Sequence, residues 1–93
     1  LLIRNPADVE EYMKIVGYEQ YMQGTAAQGL VNVAVWIDER GSVEWSEVTK
    51  SSGRLDMDEA ALALFSDIAS FRPARDQGVR VSMSVIFSVE FPW

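Results

Sequence analysis

Between residues 79 and 91 the chain alternates almost without error. The odd positions are Val79, Val81, Met83, Val85, Phe87, Val89 and Phe91. The even ones are Arg80, Ser82, Ser84, Ile86, Ser88 and Glu90, so only Ile86 breaks the pattern. Successive side chains of a strand point to opposite faces, so the pattern specifies a long strand with one core face and one wet face. Such a strand needs a paired neighbour and a layer over its apolar side. Near a chain terminus, with small Ser residues outward, it suits the edge of a sheet. An edge offers unpaired backbone N–H and C=O groups to another chain.

The 93 residues predict one domain over 1–93, with a modest core. Hydrophobic residues make up 48% and charged ones 24%, which is too apolar for disorder. Acids outnumber bases, 14 to 8, for a net charge of −6, and no basic run exists to neutralise phosphates. Nucleic-acid binding is therefore not expected. The absence of cysteine excludes disulfides and thiolate sites, and the absence of histidine removes the commonest metal ligand and acid–base catalyst. No apolar run reaches the roughly twenty residues that span a bilayer. The sequence opens on Leu1-Leu2-Ile3 without an initiator Met and is read as a fragment of a longer protein.

Asn5-Pro6-Ala7-Asp8 reads as a helix start, with Asn5 as cap and Pro6 in the first turn. Val9, Tyr12, Met13, Val16 and Tyr21 then recur at helical spacing. Gly17 leaves open one helix to about Met22 or two shorter ones, and residues 23–29 read as a loop. Val31, Val33, Val35 and Ile37 alternate with polar or small residues and Trp36, as in a strand. Asp38-Glu39-Arg40-Gly41 follows, and Gly41 suits the left-handed position of a three-residue hairpin loop. That loop puts Ile37 opposite Val43 and Val35 opposite Trp45. Continuing it would set Glu47 opposite Val33, so a bulge near Ser46 and Glu47 is expected, returning Val48 to the inside.

Ser51-Ser52-Gly53 ends that strand, and Asp56 or Asp58 is expected to cap a second helix. Ala61, Leu62, Phe65, Ile68 and Ala69 form its apolar face, and Pro73 stops it by about Ser70. Residues 71–74 read as an extended link and Asp76-Gln77-Gly78 as a turn. The fold class is then α+β, with helices near 6–22 and 57–70 and strands near 30–38, 43–50 and 79–91. A hairpin followed by a helical crossover gives a three-stranded antiparallel sheet of order 2-1-3, two helices on one face and the last strand at an edge. Phe65, Leu62, Ile68, Val33, Val35, Val85 and Phe87 are the expected core.

Little else in the sequence points to chemistry. Ser51-Ser52 lacks a base to activate it. Asp56, Asp58 and Glu59 do not have calcium-loop spacing, and helix capping explains them better. The glycines form no phosphate-binding motif, and Met13, Met22, Met57 and Met83 read as core filler. Trp36 falls out of phase with the Val/Ile face, on the uncovered side, where it either shields backbone or belongs to a binding patch. Trp93, after Pro92, is either frayed or folded back.

Residues 29–43, Gly-Leu-Val-Asn-Val-Ala-Val-Trp-Ile-Asp-Glu-Arg-Gly-Ser-Val, resemble the opening hairpin of TonB-family C-terminal domains. Ser51-Ser52-Gly53, the acid–Ala–Ala segment within 55–62, and Phe71-Arg72-Pro73-Ala74-Arg75 are similar to that family's helix and Phe-x-Pro-Ala segment. The alternating run 79–91 fits its final strand. The resemblance covers about residues 29–91, and the helix from Pro6 fits the one that usually precedes them. It implies a periplasmic domain of a protein anchored in the inner membrane. It also implies pairing with a short peptide, the TonB box, of an outer-membrane transporter, and force received from inner-membrane motor proteins through the part of the protein that precedes this one. The expected peptide-binding edge is Arg80, Val81, Ser82, Met83, Ser84, Val85, Ile86, Phe87 and Ser88, with no catalytic residue, no cofactor and no metal. The alternative is a TonB-like interaction module of another periplasmic or sensor protein, without transport coupling.

Overall fold

The computed structural model describes residues 3–24 and 28–91. Helix α1 spans Pro6–Met22 as one unbroken element, and Gly17 does not divide it. Pro6 at its first position loses no intrahelical bond, because a first-turn N–H has no partner in any helix. The side chain of Asn5 does not cap α1. It reaches across the fold instead: Asn5 Nδ2 donates to Ile68 O at 2.9 Å, and Ser70 N donates to Asn5 Oδ1 at 2.8 Å. Arg4 N adds a bond to Ser70 O at 2.7 Å. Val9 and Met13 are buried, whereas Tyr21 and Met22, expected inside, are exposed at the helix end.

Strands β1 (Gly29–Ile37) and β2 (Val43–Lys50) form the expected hairpin. Gly41 takes φ +88°, and a Cβ there would sit 2.2 Å from the carbonyl oxygen of Phe71. Asp38 N donates to Ser42 O at 2.8 Å, closing the loop. Ile37 pairs with Val43 as anticipated, but the bulge comes earlier than expected. Glu44 is the extra residue, so Trp45 lies opposite Trp36 and Ser46 opposite Val35. The shift sets Trp45 across from Trp36 on the open face and turns Glu47 outward, opposite Ala34. Val48 then faces inward opposite Val33, and a second irregularity follows at Thr49.

Helix α2 (Leu55–Ala63) continues into a π-helical turn, Leu64–Ile68, closed by Ala69 N bonding Leu64 O at 2.8 Å. Neither Asp56 nor Asp58 caps it. Arg54 is the cap residue, with Asp56 paired to its guanidinium at 2.7 Å. After Phe71, β3 (Ala74–Asp76) and β4 (Val79–Val81) make a two-stranded ribbon. Its tight turn is Gln77-Gly78, with both φ values positive, as a two-residue primed turn requires. β5 (Met83–Phe91) then pairs with β1. The expected strand 79–91 is therefore two strands parted at Ser82, because the first three residues satisfy their backbone with β3.

The three-stranded sheet has the order β2-β1-β5, antiparallel throughout, which is the predicted 2-1-3 arrangement. Val31, Val33, Val35 and Ile37 of β1 pack with Val9, Met13, Met57, Ala61, Leu64 and Phe65 in one core. Of the expected core residues, Val33, Val35 and Phe65 are fully buried, while Leu62, Ile68, Val85 and Phe87 are half-buried. Trp93 and the middle of the 23–29 loop lie outside the described residues.

Candidate functional site

The nine residues of β5 stay in step with β1 from Met83 opposite Ile37 to Phe91 opposite Gly29, without an irregularity. Among the described residues, β5 has a neighbour in the sheet on this side only. Its alternation follows the sequence pattern: Ser84, Ile86, Ser88 and Glu90 are exposed, and Met83, Val85 and Phe87 are half-buried. Val89 and Phe91 lie fully in the core. Phe87 is held from above by Phe65, its ring centroid 4.8 Å away and nearly parallel, and by Phe71 at 5.7 Å. The inward side of β5 is thus covered completely toward Phe91 and only partly toward Met83.

Of the nine residues singled out from sequence, Met83, Ser84, Val85, Ile86, Phe87 and Ser88 lie together on this edge. Arg80 and Val81 do not: they belong to β4, opposite Arg75 and Ala74. Ser82 is the joint between the two strands. On the helix-free face, Ser88 Oγ donates to Asn32 Oδ1 at 2.8 Å, tying β5 to β1. Trp36, Trp45 and Ile86 are exposed on that face, as the phase of Trp36 predicted. Trp45, expected opposite Val35 on the core face, lies outward here, because the position of the bulge decides which way it faces.

The polar clusters are structural. Asp58 accepts bonds from Ser51 Oγ, from Ser52 Oγ at 2.8 Å and from Ser52 N at 2.9 Å, fastening the segment after β2 to α2. These bonds, that of Ser51 foremost, hold its carboxyl below the usual carboxylate range. Asp38 accepts from Ser42 N and Arg40 N, each at 2.9 Å, and the Ser42 bond leads in lowering its pKa. Burial, with the charges of Asp67 and Glu19, pushes the Tyr12 phenol up, and its hydroxyl donates to Ala60 O at 3.1 Å. Among the described residues no group of carboxylates is arranged to hold a metal ion.

The α+β layer leaves one regular strand edge open among the described residues, the kind of surface on which protein-interaction domains take up an extended segment. Residues 18–92, most of the chain, match the family model for the Gram-negative bacterial TonB protein C-terminal domain, and the chain belongs to that family. The family is periplasmic and serves energy transduction, and membership implies interaction with outer-membrane receptors. No curated protein and no solved structure matches the chain.

Proposed function

We propose that this domain binds an extended segment of a TonB-dependent outer-membrane transporter as an added strand along β5, and passes on force from inner-membrane motor proteins. In this reading it is the periplasmic end of a longer, membrane-anchored protein. The observation that carries the reading is the unbroken nine-residue register of β5 with β1, with no strand on its other side among the described residues. Half a dozen backbone bonds at about 0.5–1.5 kcal/mol each offset much of the cost of ordering a peptide. Met83, Val85 and Phe87, half-buried, present apolar surface that alternate residues of the added strand would cover. A pull along the strand loads all of those bonds together.

Proline substitution tests this directly, because adjacent residues of a strand aim their N–H groups to opposite sides. Of Ser84→Pro and Val85→Pro, one removes a bond to β1 and the other a donor on the open edge. The open-edge variant should keep its circular dichroism and lose at least tenfold in affinity for a synthetic TonB-box peptide from the same bacterium. In the wild type the peptide should slow hydrogen exchange at alternate amides of residues 83–88. A folded open-edge variant that binds as tightly as wild type, with no such protection pattern, excludes strand addition.

A further inference from the structure

At the hairpin end of the sheet a cavity of about 380 Å³ opens, lined by Trp36, Ile37, Glu44, Ser82, Met83 and Ser84. It exists because two irregularities meet there. The bulge in β2 brings Glu44 to the cavity wall, and the break between β4 and β5 at Ser82 ends the sheet beside it. We propose that this notch takes the ammonium or guanidinium group of a Lys or Arg in the incoming strand. The inference rests on strand addition along β5 and names the side chain that fixes the peptide's register.

Four features fit a cation. Trp36 keeps 37% of its surface exposed, and an indole is the best aromatic partner for a cationic group. Glu44 is exposed and makes no ion pair among the described residues, so a carboxylate stands unneutralised at the cavity wall. Ser82 and Ser84 supply hydroxyl acceptors at the rim. The net charge of −6 draws positive groups toward the domain as a whole. Reach narrows the choice further. A strand added to β5 lies two strand spacings from β1, each about 4.8 Å. Only a long side chain crosses β5 to approach Trp36, and Ser84, directly opposite Trp36, is small enough to let it pass. The apolar stem of Lys or Arg can then lie over the sheet while its head stays polar.

Selection from a phage-displayed library of random linear decapeptides separates this inference from the reading beneath it. Wild-type protein should select peptides with alternating apolar residues and, at one fixed place in that alternation, Lys or Arg enriched about fivefold. Glu44→Gln protein should select the same alternation without the basic residue, whereas Glu47→Gln, a charge-matched control outside the notch, should select like wild type. A synthetic winning peptide should lose about fivefold in affinity when its basic residue becomes norleucine, and about as much against Glu44→Gln protein. That loss should shrink as salt is raised. Alternating peptides with no basic preference, or with a preference that survives Glu44→Gln, overturn the notch and leave strand addition standing. If no peptide binds wild type while its fold is intact, both fall.

Discussion

The sheet has two edges, and they are built differently. β2 departs from regular pairing twice, at Glu44 and at Thr49, and carries Glu44, Glu47 and Lys50. Bulges and charges are the usual means by which an edge is closed to foreign strands. β5 keeps register with β1 over its full length and turns Ser84 and Ser88 outward, with Glu90 its only charge. The edges also differ in what lies over them. Val43 and Val48 of β2 are half-buried at the rim of the core, whereas β5 is anchored at one end by Val89 and Phe91 and at its middle by the Phe65–Phe87 stack. One sheet thus has an irregular, charged edge and a regular edge, and the regular one is the more firmly built.

The largest expected effect bears on that last point. Phe87→Ala removes a ring packed on both Phe65 and Phe71 and should cost about 3 kcal/mol, the lower end for ring truncation because Phe87 is only half-buried. Trp45→Ala on β2, exposed by 58%, should stay within about 0.5 kcal/mol, as surface changes do. Urea denaturation of both variants measures the contrast, and equal losses would erase it. A middle-sized effect is expected at Gly41→Ala, where the positive φ and the approach to the Phe71 carbonyl together should cost about 1–3 kcal/mol. Hydrogen exchange should show that loss at β2 before β5.

The smallest effect is a dependence on acid confined to β2. Asp38 fastens the loop before β2, and Asp58 the segment after it, each through bonds that lower its pKa from 3.8. A depressed carboxyl contributes stability that is fully present above its unfolded pKa and is lost as pH falls through the folded value. Amides of β2 should therefore lose exchange protection below about pH 4 while those of β5 hold theirs. Asp58→Asn should flatten the response at Thr49 and Lys50; an unchanged profile there would show that the clasp contributes nothing.

Much of this fold was legible because local and global preferences agree. Pro6 marks the start of α1, Gly41 fixes the hairpin, and strict alternation sets which face of β5 is inward. The misses share a cause. The break at Ser82 leaves no trace in the pattern, since β4 and β5 both keep period two through it, and a three-residue β3 is too short to announce a partner. The bulge at Glu44 leaves no mark in the apolar pattern, since Val43 and Val48 face inward whether the extra residue is Glu44 or lies near Ser46. Asn5 and Asp58 looked like helix caps, yet each satisfies backbone or hydroxyl groups remote from its own first turn. That residues 83–88 share one strand could be read from alternation alone; Arg80, Val81 and Ser82 could not be told from them by any one-dimensional signal.

If the proposed pull enters at the start of the chain, the contacts there set how it spreads. Ile3 bridges to Phe71, Arg4 bonds Ser70, and Asn5 bonds both Ile68 and Ser70. Tension applied at Ile3 is thus divided before it reaches α1. One branch runs through the 17-residue helix, and the other crosses directly to residues 68–71, close along the chain to β3, β4 and β5. The two branches run in parallel for as long as those hydrogen bonds hold. A clasp of a few hydrogen bonds thereby makes the first residues near neighbours of the last strand in the load path, although some eighty positions separate them in the chain.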